Sequence, residues 1–464
     1  MISKRLAQEV LNTALLTGGD FAEIFLEETN SSQYIVDTGK MQPISSSLKY
    51  GAGIRILKGL QSVYGHTSDL SKRGLLKLAN SLNVSFNEEQ QVFVESMRKV
   101  RVSKKHKLAQ SLANIDVKEI TALLKLGDET MRGYNPQIVR TMSGLLVEIR
   151  KIVIFNSESN EFHDNQERVR LILNSVAASP TAFESSFSGP GAHQGYEYVE
   201  GLDIVGLATE VADLAVRKLT APECPSGKMP VVIGNGFGGV IFHEACGHPL
   251  EASAVSKGLS PFAGKVGEQI AHPAVTAIDD GTIKNAWGSN NIDDEGIATE
   301  RTVLIKDGIL QNYMIDRFNG RRMGEESNGA GRRQNYQFEP TSRMSNTYID
   351  KGPHTPEEII ASVKLGLYAK SLGGGSVNPA TGDFNFACDE AYIIRDGKLA
   401  ELVKGASLIG NGADILMKID MVANDLERAQ GMCGAASGSI PVDVGQPTIR
   451  VNEITVGGRG GALK

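Results

Sequence analysis

Two histidines, a glutamate and a cysteine fall within six positions of the stretch GVIFHEACGHPLEA, residues 239–252. Imidazole and thiolate are ligands for first-row metal ions, and a carboxylate beside them suits a base acting on metal-activated water. In the familiar zinc-peptidase signature H-E-x-x-H the histidines are four apart and share one helical face. Here His243 and His248 are five apart. Positions five apart on a regular α-helix are separated by about 140° around its axis, too far to converge on one ion. A π-type bulge would bring them onto one face. The alternative is that the helix ends here, because Gly247 is a weak helix former and Pro249 disfavours the α conformation at His248.

A catalytic metal needs a third protein ligand and an open position. Cys246 follows His243 by three residues and would stand about 60° from it on a helix, so spacing favours it. Cys433, in the glycine-flanked AQGMCGAASGS, is the other candidate. A free cysteine is also a common small core hydrophobe. Glu244 points to a different face from the ligand pair and suits a general base. The competing reading of the cluster is a buried polar helix with satisfied histidines.

Three further patterns carry alternatives. Gly234, Gly236 and Gly239 form G-x-G-x-x-G after the strand-like VVI, the setting of a nucleotide-dependent oxidoreductase. The residues about 20 positions on, VSKGLSPFAG, lack the acidic strand end that such a fold requires, so the glycines are read as allowing close backbone packing. The acidic run NIDDEG, residues 291–296, has calcium-ligand chemistry but reads as a turn. Arg332, Arg333 and Arg343 are candidates for binding a peptide carboxylate, against the alternative of a solvated basic surface.

The elements that position these residues fall into two parts, 1–222 and 223–464, with the boundary at the double-proline segment APECPSGK. The first part mixes helices and strands, giving an α+β fold. Helices are expected at the N-terminus, over 70–82, over 105–140 and after an N-cap at Asp203. FAEIFLEE alternates apolar and acidic residues as a half-exposed strand does. LLVEIRKIVIFNSE and ERVRLILNSVAAS read as a hairpin joined by the polar SNEFHDNQ, and 188–201 as a surface loop. The second part is mostly β, opening with the strand MPVVIG and carrying one functional helix. Asp-Gly pairs at 280–281, 307–308 and 396–397 mark hairpins.

Composition limits the function classes. The 464 residues are 41% hydrophobic and 22% charged with a formal charge of −6, so neither disorder nor a nucleic-acid footprint is written here. No window is apolar enough for a membrane span, and the first residues read as an amphipathic helix instead of a signal peptide. Four scattered cysteines with no C-x-x-C pair fit a reducing cytoplasm.

With those residues in view, the chain resembles the TldD/PmbA family of metalloproteases, on its TldD-like, motif-bearing branch. The resemblance runs through VVIGNGFGGVIFHEACGHPLEA, FAGKVGEQIA, GRRQNYQFEPTSRMSNTYI, VKGASLIGNG and MCGAASGSIPVDVGQPTIRVNEITVGG. It implies an H-E-x-x-x-H site in which His243 and His248 are metal ligands, Glu244 is the catalytic base and Cys433 is the third ligand. The family has a simple apolar residue where this chain has Cys246. Pro249 stands where the family often has Gly, which bears on the end of the motif helix. AASGS lacks the Lys and Gln common after the cysteine, which bears on substrate contacts there. The resemblance further implies a divalent metal, zinc or alternatively iron, and hydrolysis of peptide bonds in unfolded or small peptides. It implies either a homodimer or a heterodimer with a motif-lacking TldE/PmbA-like subunit. The non-catalytic alternative is a peptide-binding accessory subunit whose metal is structural.

Overall fold

The computed structural model describes residues 2–378 and 381–463. The N-terminal half is built on one antiparallel sheet. Its strands are β1 (Phe21–Asp37), β2 (Ser45–Lys58), β3 (Gln61–Thr67), β4 (Ile138–Asn156), β5 (Asn160–Ala178) and β6 (Phe183–Ser188), in the order β3-β2-β1-β4-β5-β6, with three two-residue strands at its margins. The helices α1 (Lys4–Leu15), α2 (Lys72–Asn83), α3 (Val117–Tyr134) and α4 (Ile204–Thr220) cover one face of this sheet. α1 starts at the Ser3 cap and buries Ala7, Val10, Leu11, Ala14 and Leu15 against the apolar face of β1. Asp203 caps α4 by accepting from the Gly206 N–H.

The C-terminal half holds two large sheets and a two-stranded one that pairs Gly331–Arg332 with Thr341–Ser342. β7 (Gly227–Ile233), β8 (Ala277–Asp280), β9 (Arg301–Lys306) and β10 (Asn346–Ile349) are followed by β11 (Leu365–Val377), β12 (Asp383–Arg395), β13 (Lys398–Val403) and β14 (Ser407–Asn411). β15 (Ile419–Val422), β16 (Glu427–Ala435), β17 (Gly438–Gln446) and β18 (Ile449–Gly457) complete the chain. β7 pairs with both β11 and β18, which closes the ring β7-β11-β12-β14-β18. The other large sheet runs β9-β8-β10-β17-β16 and leaves β16 as its last strand. Among the described residues no helix is long and apolar enough to cross a membrane.

Several local expectations change. FAEIFLEE is not half-exposed: Glu23 is 0% and Glu27 2% accessible, because the acidic face of β1 is covered by the C-terminal half. The β4–β5 hairpin turns in three residues, with Ser159 at φ 63°, and EFHDNQ belongs to β5. α3 occupies only 117–134 of the span expected to be helical. The segment 188–201 includes the buried Gly191–Ala192–His193, where the His193 ring stacks on His106 at 4.6 Å. The Asp-Gly pairs at 307–308 and 396–397 do make tight turns with positive φ. Asp280–Gly281 instead leads into a long excursion before β9, because β8 pairs with β9 and β10.

The two halves meet through buried charge. On β2, Arg55 reaches Glu23 at 3.0 Å and Glu295 at 2.5 Å, with all three side chains at 0% exposure. Arg333 bonds Glu23 at 2.6 Å and stacks over Phe25 at 4.3 Å. Arg150 links Glu27 at 3.1 Å to Asp294 at 3.0 Å. NIDDEG is therefore a docking loop. Its Asp293 accepts three backbone N–H bonds, its Asp294 and Glu295 face arginines, and no cation site remains there. Burial acts to raise the Glu23 pKa, but Arg55 and Arg333 hold it below the usual carboxylate value.

Removing one partner of a buried ion pair leaves an uncompensated charge and costs about 3–5 kcal/mol, whereas an exposed pair is worth about 0–1 kcal/mol. Arg55→Met is expected to lower the denaturation midpoint strongly, while Arg140→Met, which breaks the exposed pair with Asp37, leaves it nearly unchanged. Equal midpoints for the two variants would contradict this account of the interface.

Candidate metal centre

After β7 the chain passes through a glycine turn, Gly236–Gly239, and one short α turn, Val240–Phe242. Residues His243–Gly247 then form a π turn, in which the His248 N–H bonds the His243 carbonyl. The turn is followed by a single 3₁₀ turn, His248–Leu250, and an extended Glu251. His248 keeps right-handed helical angles, φ −57° and ψ −41°, despite the following Pro249. The backbone thus bulges first and ends second, and the bulge pairs the histidines. Their ring centroids lie 5.3 Å apart at 81°.

Packing holds the turn in place. Ala245 and Cys246 point into the core. A Cβ on Gly247 would collide with the Met344 sulfur, and one on Gly412 with the Ala245 carbonyl. The glycine run before the turn is equally committed. Cβ atoms at Gly234 and Gly239 would run into the Lys370 and Gly445 backbones, so strands β11 and β17 fill the space a nucleotide phosphate would need. Gln446 donates to the Gly234 carbonyl at 3.0 Å.

Cys433 arrives from β16, opposite Ile440 of β17. Its Sγ lies 3.1 Å from His243 Nε2 and 3.2 Å from His248 Nε2. One atom from each of the three residues falls within 4.8 Å of the other two, the one such cluster of metal-ligand groups among the described residues. Ligands of a tetrahedral zinc, with bonds of about 2.0–2.3 Å, stand about 3.3–3.6 Å apart. The His–Cys separations are therefore close to what a shared ion requires. His243 Nδ1 is buried without a protein partner. Cys246 is turned away, fully buried in apolar surroundings, with its Sγ 3.5 Å from the Gly412 carbonyl. Burial alone pushes its thiol far above the ordinary value. Burial also acts to raise Cys433, but His243 and His248 overcome it and bring the thiol down to about 4.

Glu244 Oε2 lies 3.8 Å from His248 Nε2, with its side chain 29% exposed. Glu251 Oε2 is 3.2 Å from His248 Nδ1, and together with Cys433 it raises the His248 pKa against the effect of burial. Arg343 ties the centre together. It donates to the Cys433 carbonyl at 2.5 Å and to Ser437 Oγ and the Gly438 carbonyl, and its Nε is 3.8 Å from Glu251. Arg332 bonds the Met344 and Pro441 carbonyls, and Arg333 belongs to the interdomain network. All three arginines are buried, so none belongs to a solvated basic surface. Sequence motifs do not single out Glu251, although it stands three residues after His248, one turn away.

Most of the chain matches family models described as PmbA/TldA metallopeptidase domain 1 over residues 22–83, central domain over 110–219 and C-terminal domain over 226–458. A metalloprotease TldD homolog of Haemophilus influenzae is 35% identical over 448 residues, covering 95% of this chain and 93% of its own length. A metalloprotease of Methanocaldococcus jannaschii is 31% identical over 442 residues, covering 94% of this chain and 97% of its own. The crystal structure of TldE from Thermococcus kodakarensis shares the fold, with TM-score 0.76 at 18% identity over 97% of this chain and 99% of that one.

The depressed Cys433 thiol has a measurable sign. In metal-stripped protein its thiolate is the form present above pH about 4, so thiolate ultraviolet absorbance is expected to persist through neutrality. That absorbance should vanish in Cys433→Ser and survive in Cys246→Ser. A wild-type titration confined to the ordinary thiol range near pH about 8.5 would refute the assignment.

Proposed function

The chain belongs to the PmbA/TldD family of metallopeptidases, and from that premise we propose that His243, His248 and Cys433 hold a divalent ion and that Glu244 is the base in hydrolysis of peptide bonds in unfolded or small peptides. The observation that carries the reading is the meeting of two imidazole Nε2 atoms, five residues apart in sequence, on one Cys433 Sγ at 3.1 and 3.2 Å. A two-imidazole, one-thiolate set suits zinc first and iron second. What a bound ion supplies there is Lewis acidity, activating water and polarising the scissile carbonyl.

The protein's own groups do the rest. Glu251 holds the Nδ1 side of His248, which fixes the tautomer that directs Nε2 toward Cys433. Glu244 stands beside His248 on the side open to solvent, where it takes the proton from the attacking water and delivers it to the leaving amine. β16 pairs with β17 alone, and apart from its Gln430, Gly431 and Cys433 carbonyls, which side chains bond, its outer edge is open for an extended peptide to add beside Cys433 with backbone bonding that is indifferent to side chains. The partial exposure of Glu244 and His248 favours a catalytic centre over a closed structural one. The shared fold with TldE supports pairing with a motif-lacking subunit of that kind, with a second copy of this chain as the alternative partner. The four free cysteines accord with a reducing, cytoplasmic setting.

Glu244→Gln is expected to retain stoichiometric metal and lose about 100–10,000-fold in cleavage rate. Undiminished cleavage in that variant would remove Glu244 from the mechanism. Metal analysis is expected to find the ion absent from Cys433→Ala and present in Cys246→Ala. Glu251→Gln should weaken metal affinity by about 10–100-fold, as loss of a carboxylate behind a ligating histidine does.

A further inference from the structure

Between the open face of the N-terminal sheet and the β16–β17 hairpin lies a cavity of about 420 Å³. Its size suits one or two amino-acid residues. Four buried arginines, Arg150, Arg168, Arg332 and Arg333, line it, with Glu148 the one acidic side chain on its wall. Most of their N–H groups bond the protein, but Arg150 Nη2, Arg332 Nε and Arg333 Nε have no acceptor. With Lys49, five cationic side chains stand against one carboxylate on this wall, which suits an anionic occupant. The positive charge is also incompletely offset: burial and then the charge of Arg168 bring Arg332 down to about 9. Lys49 and a row of serines and glutamines make up most of the remaining wall, and Leu146, Val147, Trp287 and Met432 supply an apolar patch on it.

Met432 immediately precedes Cys433 on the last strand of its sheet and is 54% exposed. Side chains alternate across a strand, so Met432 and Cys433 face opposite sides of the hairpin. Met432 on the cavity wall and Cys433 at the metal centre are thus neighbours on one strand, so a peptide held at the metal centre lies next to the cavity.

We propose that this cavity binds a carboxylate of the peptide substrate against the arginines, with the attached apolar side chain against Trp287 and Met432. The proposal rests on the peptidase reading of the neighbouring metal centre. A free C-terminus is the source that fits, because it places a carboxylate and a side chain on the same Cα. An aspartyl side chain presents the same anion without that apolar neighbour.

The test compares N-acetylated peptides ending in leucine as the free acid, the same peptides as C-terminal amides, and amides with aspartate in place of leucine. Binding is measured by calorimetry with metal-loaded Glu244→Gln protein, and cleavage with the wild type. The free acid is expected to bind at least tenfold more tightly than either amide. Substituting the arginines themselves would disturb the interdomain network, so the informative variant is Ser47→Glu, an exposed cavity-wall position. It adds a competing carboxylate, and should weaken free-acid binding about tenfold while leaving the amide unchanged. Equal binding of acid and amide overturns the proposal. Tight binding of the aspartyl amide overturns the C-terminal assignment. Cleavage without acid preference removes the cavity's role and leaves the peptidase reading standing, whereas acid-selective binding by a chain that cleaves nothing does the reverse.

Discussion

Seven charged side chains buried between the halves set the terms for everything else in this molecule. Arg55, Arg150 and Arg333 face Glu23, Glu27, Asp294 and Glu295, each carboxylate within hydrogen-bond reach of a guanidinium. Such a lattice is poor as a source of net stability, since desolvation consumes most of the attraction. It is strict about geometry, because any rotation of one half against the other would strand a charge away from water. β1 shows the consequence in one strand. Ala22, Ile24 and Leu26 pack on the helices, while Glu23, Phe25 and Glu27 between them serve the interface. Arg333 sits in that lattice, its neighbour Arg332 grips the Pro441 carbonyl of β17, and Arg343 grips the Cys433 carbonyl of β16. The strand that delivers the thiolate is thus fastened by the same run of arginines that joins the halves.

The π turn depends on a different constraint, close packing. An i to i+5 turn is uncommon and survives where neighbours leave it no alternative. Here Gly247 lies against Met344, Ala245 against Gly412, and Gly239 against Gly445. Each contact is closed to any residue with a Cβ. The glycines that resemble a dinucleotide fingerprint are the same kind of device, used against the protein's own strands.

The pairing of the two histidines is legible in the sequence because it follows from residue type and spacing. HEACGH demanded a backbone irregularity, and the irregularity is present. The α+β character and the β-rich second half followed from period-2 and Asp-Gly patterns. What spacing could not convey was long-range. On proximity Cys246 is the better third ligand than Cys433, which is 190 residues from His243, and nothing local in FAEIFLEE distinguishes a solvated acidic face from one paired with buried arginines. Arg332, Arg333 and Arg343 drew notice as a basic cluster, but their partners are carbonyls and carboxylates brought near only by folding. Glu251 lay within one turn of His248 and was obscured by the intervening proline.

The two cysteines nearest the histidines show how environment outweighs sequence position. Cys246 is sealed among apolar side chains with no cation in reach, so burial alone acts and its proton is held tightly. Cys433 is nearly as buried, yet two imidazoles oppose the same desolvation and favour the thiolate. Had the histidines been four apart on a regular helix, a single face would have presented both rings toward one direction set by the helix axis. The π turn instead lets them close on a sulfur arriving from a strand. His243 and Cys433 lie inside, and His248 and Glu244 remain partly open. That asymmetry opens the centre on the side of His248 and Glu244, and β16, the last strand of its sheet, carries Cys433 to it.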